Sequence, residues 1–298
     1  MGSPLLGDGA GVGVSEMSVD PGDIGCIVVH HNSLATLWRT VASLVAAGGR
    51  VNRILVVDNS GIDLVVPPEL AGLQLLSTAN RGYGSAVNEG VRRLQKVGGS
   101  RYVLVVTHEV TVVQGLLTDL AARLAADPAL AVVGPALMNS ETGDVWSLGG
   151  VVAPTSGAPG HRGYGWTRAQ VPASKLLPSA WLDGSFCMYR AGVLECFQFD
   201  ENYFLYFEEA DLHYRLVKEG YGIACDTSVI ASQSSNGIPD YFLGRNSRIF
   251  MRIHGWGPQK FATPMLLVAK RILKNLLVRG GSSDDLLRGW RDGAQRGS

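Results

Sequence analysis

Apolar and polar positions alternate along this chain on two different periods. Short, unbroken apolar runs at 24–29, 53–57 and 102–106, with a shorter one at 73–77, read as strands. Such runs suit strands covered on both faces, where polar alternation has no use. Between them, 34–47 and 84–97 carry apolar residues three and four positions apart, the spacing of a helix with one buried face. This is the signature of βαβ units and a mostly parallel sheet. A helix is expected at 114–126 and a strand at 131–135; then 139–180 becomes rich in Gly, Pro and Ser, which predicts a long loop or a departure from doubly wound topology. Order returns at 181–190, followed by a helix to about 219, a strand at 223–226 and a basic helical tail at 263–278. Residues 1–22 lack periodicity and read as a disordered leader.

Composition narrows the picture by exclusion. A chain of 298 residues holds one large α/β domain or two small ones, and either buries a core without disulfides. With 26 basic and 26 acidic residues the formal charge is zero, so nothing global argues for nucleic acid. Cys26, Cys187, Cys196 and Cys225 lie far apart with no Cys-x-x-Cys pair and read as buried free thiols of a reducing compartment. No apolar stretch reaches the roughly 18–20 residues that cross a bilayer, and no basic-then-apolar leader opens the chain. The expected location is the cytoplasm, with peripheral contact at the inner face of the membrane left open.

Chemistry concentrates at the ends of the runs. In an open parallel sheet ligands bind beyond the carboxyl ends of the strands. Here those ends are His30-His31-Asn32, Asp58-Asn59-Ser60 and Thr107-His108-Glu109. Any one of them is also ordinary turn chemistry. An ionised Asp58 offers only acceptors, which suits ribose hydroxyls or a base N–H, and Glu109 suits a divalent cation or a sugar hydroxyl. The turn Asn80-Arg81-Gly82-Tyr83, leading to Asn88 and Gly90, opens a helix whose free N–H groups and Arg81 charge suit a diphosphate. It lacks the Gly-x-Gly-x-x-Gly spacing of a dinucleotide site. Downstream, Glu208, Glu209 and Asp211 crowd three acids into four positions after an aromatic run. That is either a helix N-terminus facing water or a carboxylate tuned to act as a base.

Together, 27–32, 54–60, 80–90, Asp183-Gly184-Ser185 with Met188 and Arg190, and Phe199-Asp200-Glu201 leading into 206–212 resemble the family 2 nucleotide-sugar glycosyltransferases of GT-A fold, particularly the bacterial rhamnosyltransferase-like members. The resemblance implies an α/β catalytic domain at 23–257, with 258–298 as a C-terminal amphipathic helical extension. It implies an inverting transfer from a dTDP- or UDP-linked hexose or deoxyhexose to a hydroxyl acceptor, which is a glycan, a lipid-linked intermediate or a small natural product. On the same basis Glu209 is the expected base, with Asp183 as second choice and Glu208 and Asp211 in support. His31, Asn32, Asp58, Asn80, Arg81, Gly82, Tyr83, Asn88, Thr107, His108 and Glu109 line the nucleotide-sugar side.

The chain departs from the family pattern at the metal motif. Thr107-His108-Glu109 keeps one carboxylate, and Gln233 stands where a His is usual. Mg2+ and Mn2+ prefer charged oxygen ligands, so Glu109 is expected to be a weak ligand, and metal-assisted and metal-independent sites both remain open. His108 reads as a ligand, a donor to the diphosphate, or an ordinary histidine. The rival reading from another class is a non-catalytic GT-A domain that binds nucleotide or assists assembly. In the tail, Lys270, Arg271 and Lys274 among leucines suit an anionic membrane, a homo-oligomer, or packing on the catalytic domain.

Overall fold

The computed structural model describes residues 19–234, 237–278 and 283–295. Most of the expected leader, residues 1–18, lies outside the described residues, as do 279–282 and 296–298 of the expected extension. Residues 21–23 form a short 3-10 turn capped by Asp20.

The first half is built as the apolar runs predict. Strands β1 (Ile24–His30), β2 (Ile54–Asp58), β3 (Gln74–Ser77) and β4 (Tyr102–Thr107) form a parallel block in the order β3-β2-β1-β4. Successive residues of a strand face opposite sides. Ile27 and Val29 therefore enter one core with Val87, Val91 and Leu94, while Cys26 and Val28 enter the other with Leu37, Val41 and Leu44. The helices supplying these residues are α1 (Leu34–Ala46) and α2 (Tyr83–Lys96).

The second half departs from the expected pattern. Val110–Gln114 is a strand, β5, and helix α3 (Leu117–Ala126) starts after Gly115, whose φ of 87° no strand or helix continues. Strand β6 is Leu130–Asn139, and the Gly- and Pro-rich region is stitched by four short strands, β7 (Val145–Ser147), β8 (Gly150–Val152), β9 (Pro159–His161) and β10 (Leu176–Pro178). Strand β11 (Phe186–Arg190) inserts antiparallel between β4 and β6. Helix α4 (Ala191–Cys196) follows, then α5 (Glu208–Lys218), and strand β12 runs the whole of Gly222–Gln233, well past the expected 223–226. Its polar centre hid the continuation: Asp226 is fully buried and accepts from Arg123 Nε at 2.7 Å. Cys26, Cys187 and Cys225 are buried thiols, whereas Cys196, also expected inside, is exposed at the end of α4.

The chain closes with α6 (Asp240–His254), α7 (Gln259–Val278) and α8 (Ser283–Gln295). Helix α6, which periodicity does not show, packs Ile249, Phe250 and Met251 against Trp181, Tyr203, Phe207 and Ala210 in a third core. No described helix is long and apolar enough to cross a membrane.

Candidate active site

The parallel strands deliver their polar ends to one edge. His30 is in register with Asp58, and Val29 with Thr107. The carboxylate of Asp58 can only accept, so His30 Nδ1–H donates to Oδ1 at 2.7 Å, and Ser60 donates to the same oxygen. Burial pushes the Asp58 carboxyl up, but the hydrogen bonds from Ser60 and His30 outweigh it and hold the group below the ordinary carboxylate range. Asp58 thus sits behind the surface rather than on it, with Oδ2 buried and without a protein partner. In front of it His31 donates from Nδ1 to Asn59 Oδ1 at 3.0 Å and accepts at Nε2 from Asn32 Nδ2 at 2.9 Å. Asn59 Nδ2 reaches Asn80 Oδ1 at 3.4 Å, and that oxygen also accepts from Gly82 N at 3.1 Å.

Helix α2 begins at the next position for a steric reason. Gly82 has φ of 98°, and a Cβ there would stand 2.1 Å from the Phe204 carbonyl oxygen. The same carbonyl accepts from Tyr83 N at 2.8 Å, and Tyr83 Oη donates to Gly184 O at 2.5 Å. This turn is therefore a seam between the strand-end half of the site and the acidic half. Two neighbours expected at the nucleotide turn elsewhere. Arg81 pairs with Glu89 at 3.0 Å, and Asn88 brackets the Phe199 backbone, donating to its O at 3.0 Å and accepting from its N at 3.1 Å.

Because β11 is antiparallel, its beginning reaches the edge where β1 and β4 end, and Thr107 N donates to Ser185 O at 3.0 Å. Asp183 arrives there oriented twice, by Ser185 N on Oδ1 at 2.9 Å and by Trp146 Nε1 on Oδ2 at 2.8 Å. Opposite lies the start of α5, reached through Phe204, Tyr206 and Phe207, all at positive φ between 66° and 76°. Side chains rarely accept that conformation without support. Support comes from α6: Asn246 Nδ2 lies 2.8 Å from the Leu205 and Tyr206 carbonyls and 3.1 Å from that of Tyr203, and Arg245 donates to Tyr203 O at 3.0 Å.

The three clustered acids separate by environment. Asp211 turns away, accepting from Arg215 Nε at 2.8 Å and His254 Nε2 at 2.7 Å. Burial raises its pKa, but the bond from His254 and the Arg215 charge bring the group below its usual range. Glu208 is buried with Oε2 unpartnered, and burial pushes its pKa up to about 7. Burial also raises Glu209, and the charges of Glu208 and Asp183 add to the effect. The Glu209 side chain packs on Gly184, where an added Cβ would lie 3.1 Å from its own.

A raised carboxyl favours the protonated fold, so its stability contribution is complete below the unfolded pKa and is lost as pH rises through the folded one. Glu208→Gln is therefore expected to match the unmodified chain in thermal stability near pH 4.5 and exceed it at pH 8. The difference should be on the order of 2–3 kcal/mol, or about 5 °C in a melting curve read by circular dichroism. Equal melting temperatures at pH 8 would refute this account of Glu208.

These walls enclose a cleft of about 670 Å³. Of the expected residues, His31, Asn80, Gly82, Tyr83, Thr107, His108, Glu109, Asp183, Glu208 and Glu209 line it; Asn32, Asp58, Arg81 and Asn88 do not. His108 Nδ1–H donates to Val29 O at 3.2 Å, and burial, then the His30 charge, lowers its pKa to about 4. Its Nε2 lone pair therefore faces Glu109, 3.8 Å from Oε1. Burial raises the Glu109 carboxyl. Gln233 lines the same wall. Four carboxylates line the cleft and no Lys or Arg does, among the described residues. Sequence reasoning missed Trp146 and His161, whose rings lie 5.2 Å apart on the far wall, because the Gly- and Pro-rich region carries no periodic signal.

Residues 26–197 match Glycosyl transferase family 2. N-acetylglucosaminyl-diphospho-decaprenol L-rhamnosyltransferase of Mycobacterium tuberculosis (strain H37Rv) is 30% identical over 210 residues, covering 62% of this chain and 67% of that protein. The fold is similar to GalNAc-T7 solved with UDP, GalNAc and Mn2+, at a TM-score of 0.62 and 15% identity over 90% of this chain. This chain spans about half of that one, 53%. It is also similar to mannosyltransferase PcManGT from Pyrobaculum calidifontis in complex with GDP-Man and Mn2+, at a TM-score of 0.50 and 13% identity, over 94% of this chain and 90% of that one. With its central parallel strands, GT-A neighbours and matched segment running from β1 through β11 to the end of α4, the chain belongs to glycosyl transferase family 2.

Proposed function

We propose that this protein is an inverting glycosyltransferase that moves a hexose or deoxyhexose from a dTDP- or UDP-linked donor to a hydroxyl on a lipid-linked acceptor. The observation that carries the reading is the convergence on one cleft of two unlike walls, polar strand ends with a helix start on one side and Asp183 with Glu209 on the other. The rhamnosyltransferase relative, whose name specifies a diphospho-decaprenol acceptor, supports the choice of sugar and acceptor class. Ser185, Trp181, His161 and Glu208 line the cleft and each carries a buried polar atom without a protein partner, Oγ, Nε1, Nδ1 and Oε2, which suits a polyhydroxyl substrate.

In this reading His31, Asn59 and Asn80 hold the nucleoside end, with Asp58 behind them held by His30 and Ser60. Glu209 takes the proton of the acceptor hydroxyl as its oxygen attacks the anomeric carbon and the bond to the diphosphate breaks. Attack opposite the leaving group inverts the configuration, and the rate comes from positioning and base assistance. Asp183, fixed by Trp146 and Ser185, orients the acceptor. The proposed catalytic segment 23–257 supplies all of these groups; Leu267 of the 258–298 extension adds to the cleft wall.

The leaving diphosphate needs positive charge, and among the described residues the cleft offers none from Lys or Arg. His108 Nε2 and Glu109 are an imidazole and a carboxylate donor facing each other, a set that fits a divalent ion sharing its remaining positions with phosphate and water. They would hold Mg2+ or Mn2+, whose charge would stabilise the departing diphosphate. A thermal-shift panel of UDP-, dTDP- and GDP-sugars with Mn2+ or EDTA tests both points. One nucleotide family should raise the melting temperature with Mn2+ and lose most of that shift in EDTA. Equal shifts in EDTA would remove the ion, and no shift with any nucleotide would remove the donor site.

A further inference from the structure

Helix α7 buries Val268 and yet is also apolar on the face it turns to water. Its inner face carries its polar anchors: Gln259 donates to Thr155 O at 3.1 Å, Thr263 donates to Ser156 O, and Asn275 donates to Asp240 at 2.8 Å. Its outer face carries Phe261, Met265, Leu266, Leu273, Leu276 and Leu277, each between 43% and 75% exposed. A monomeric domain rarely leaves so much contiguous apolar surface in water. Just before the helix Trp256 is 69% exposed, extending the patch with a residue type favoured at membrane interfaces.

The charge on this helix is of one sign. Residues 259–278 contain no Asp or Glu, and Lys260, Lys270 and Lys274 are exposed beside the apolar residues. Arg271, the other cation, is turned inward to Asp240 at 3.1 Å. An apolar face rimmed by lysines complements an anionic lipid surface, into which the leucines sink while the lysines meet headgroups. A second copy of this chain fits less well, because paired α7 faces would bring like charges together across a low-dielectric contact.

We infer that the outer face of α7, with Trp256, docks the protein on an anionic lipid bilayer. Leu267 of the same helix lines the cleft, so docking would set the cleft mouth beside the lipid surface. Only the purpose of the docking, presenting a lipid-linked acceptor, rests on the function proposed above. The docking itself does not.

The test is flotation of the full chain with vesicles of phosphatidylcholine alone or mixed with phosphatidylglycerol. The chain should float with the mixed vesicles and far less with the neutral ones. Leu273→Ser with Leu276→Ser should abolish binding, and Lys270→Gln with Lys274→Gln should weaken it on the order of tenfold or more, in a salt-dependent way. All four positions are exposed, so circular dichroism melts should be unchanged, and the lysine pair stands as the second readout if the leucine pair misfolds. Absence of flotation with the mixed vesicles overturns the inference, as does flotation of both variants equal to that of the unmodified chain. So does a dimer in analytical ultracentrifugation that the leucine pair dissolves without any lipid binding. The nucleotide-induced thermal shift should persist in both variants, which separates failure of docking from failure of the donor site.

Discussion

Glu209→Gln is expected to lower kcat by about 10²- to 10⁴-fold while leaving donor affinity nearly unchanged, because the amide keeps the shape but cannot take a proton. The position supports this assignment independently of its type. Glu209 stands in the first turn of α5, packs on Gly184 beside Asp183, and lines the cleft, while Asp211 is consumed by Arg215 and His254. The pH dependence follows from the direction of the shift. Burial raises the Glu209 carboxyl, with the Glu208 and Asp183 charges adding to it, so the proposed base is protonated at acid pH and ionises above the ordinary carboxylate range. kcat/KM should therefore rise with pH through a limb displaced upward from that range, and Glu209→Gln should flatten the limb. Turnover and a pH profile indistinguishable from those of the unmodified chain would exclude Glu209 as base and move the role to Asp183.

The second large effect lies outside the cleft lining. Asn246→Ala removes a buried amide that holds the carbonyls of Tyr203, Leu205 and Tyr206 through the left-handed stretch before α5. Each buried carbonyl left unpaired costs about 1–3 kcal/mol, so a loss of roughly 2–5 kcal/mol is expected, near the upper end for single substitutions. Asn246→Asp separates hydrogen bonding from packing. It keeps the volume but replaces the N–H donors with acceptors, and should be at least as damaging in urea denaturation. Activity measured well below the melting transition should also fall in both variants, since the loop they loosen sets the entry of Glu208 and Glu209. A mild loss in Asn246→Asp beside a large one in Asn246→Ala would show that volume, not donation, holds the loop.

The two predictions differ in how far sequence alone could reach them. Glu209 stands out as an acid among acids after an aromatic run. Asn246 does not, because α6 buries Gly244, Arg245, Asn246 and Ser247 in succession, and a buried polar stretch erases the apolar period by which a helix is read. The same cause hid the length of β12, whose buried Asp226 is neutralised by Arg123 from a distant helix. Strand β5 is not marked by its own pattern because its alternation is short, and the expected helix at 114–126 starts three residues early because Gly115 alone marks the break.

Local pattern thus determined the α/β class, the four parallel strands and their polar ends, since buried strands and their turns are specified by residues adjacent in the chain. It also singled out the acids and the Asn80-to-Gly90 turn as the places where chemistry collects. Which of these residues meet was decided by tertiary structure. Only the antiparallel insertion of β11 brings Asp183 to the end of β4, and only packing turns Arg81 and Asn88 away from the cleft and sets Asp58 behind its wall. The roles of the neighbouring acids likewise depend on distant partners, His254 on Asp211, 43 residues apart, and Asp183 beside Glu209. Burial and long-range pairing set a carboxylate's proton affinity, and neither is written in the few residues on either side of it.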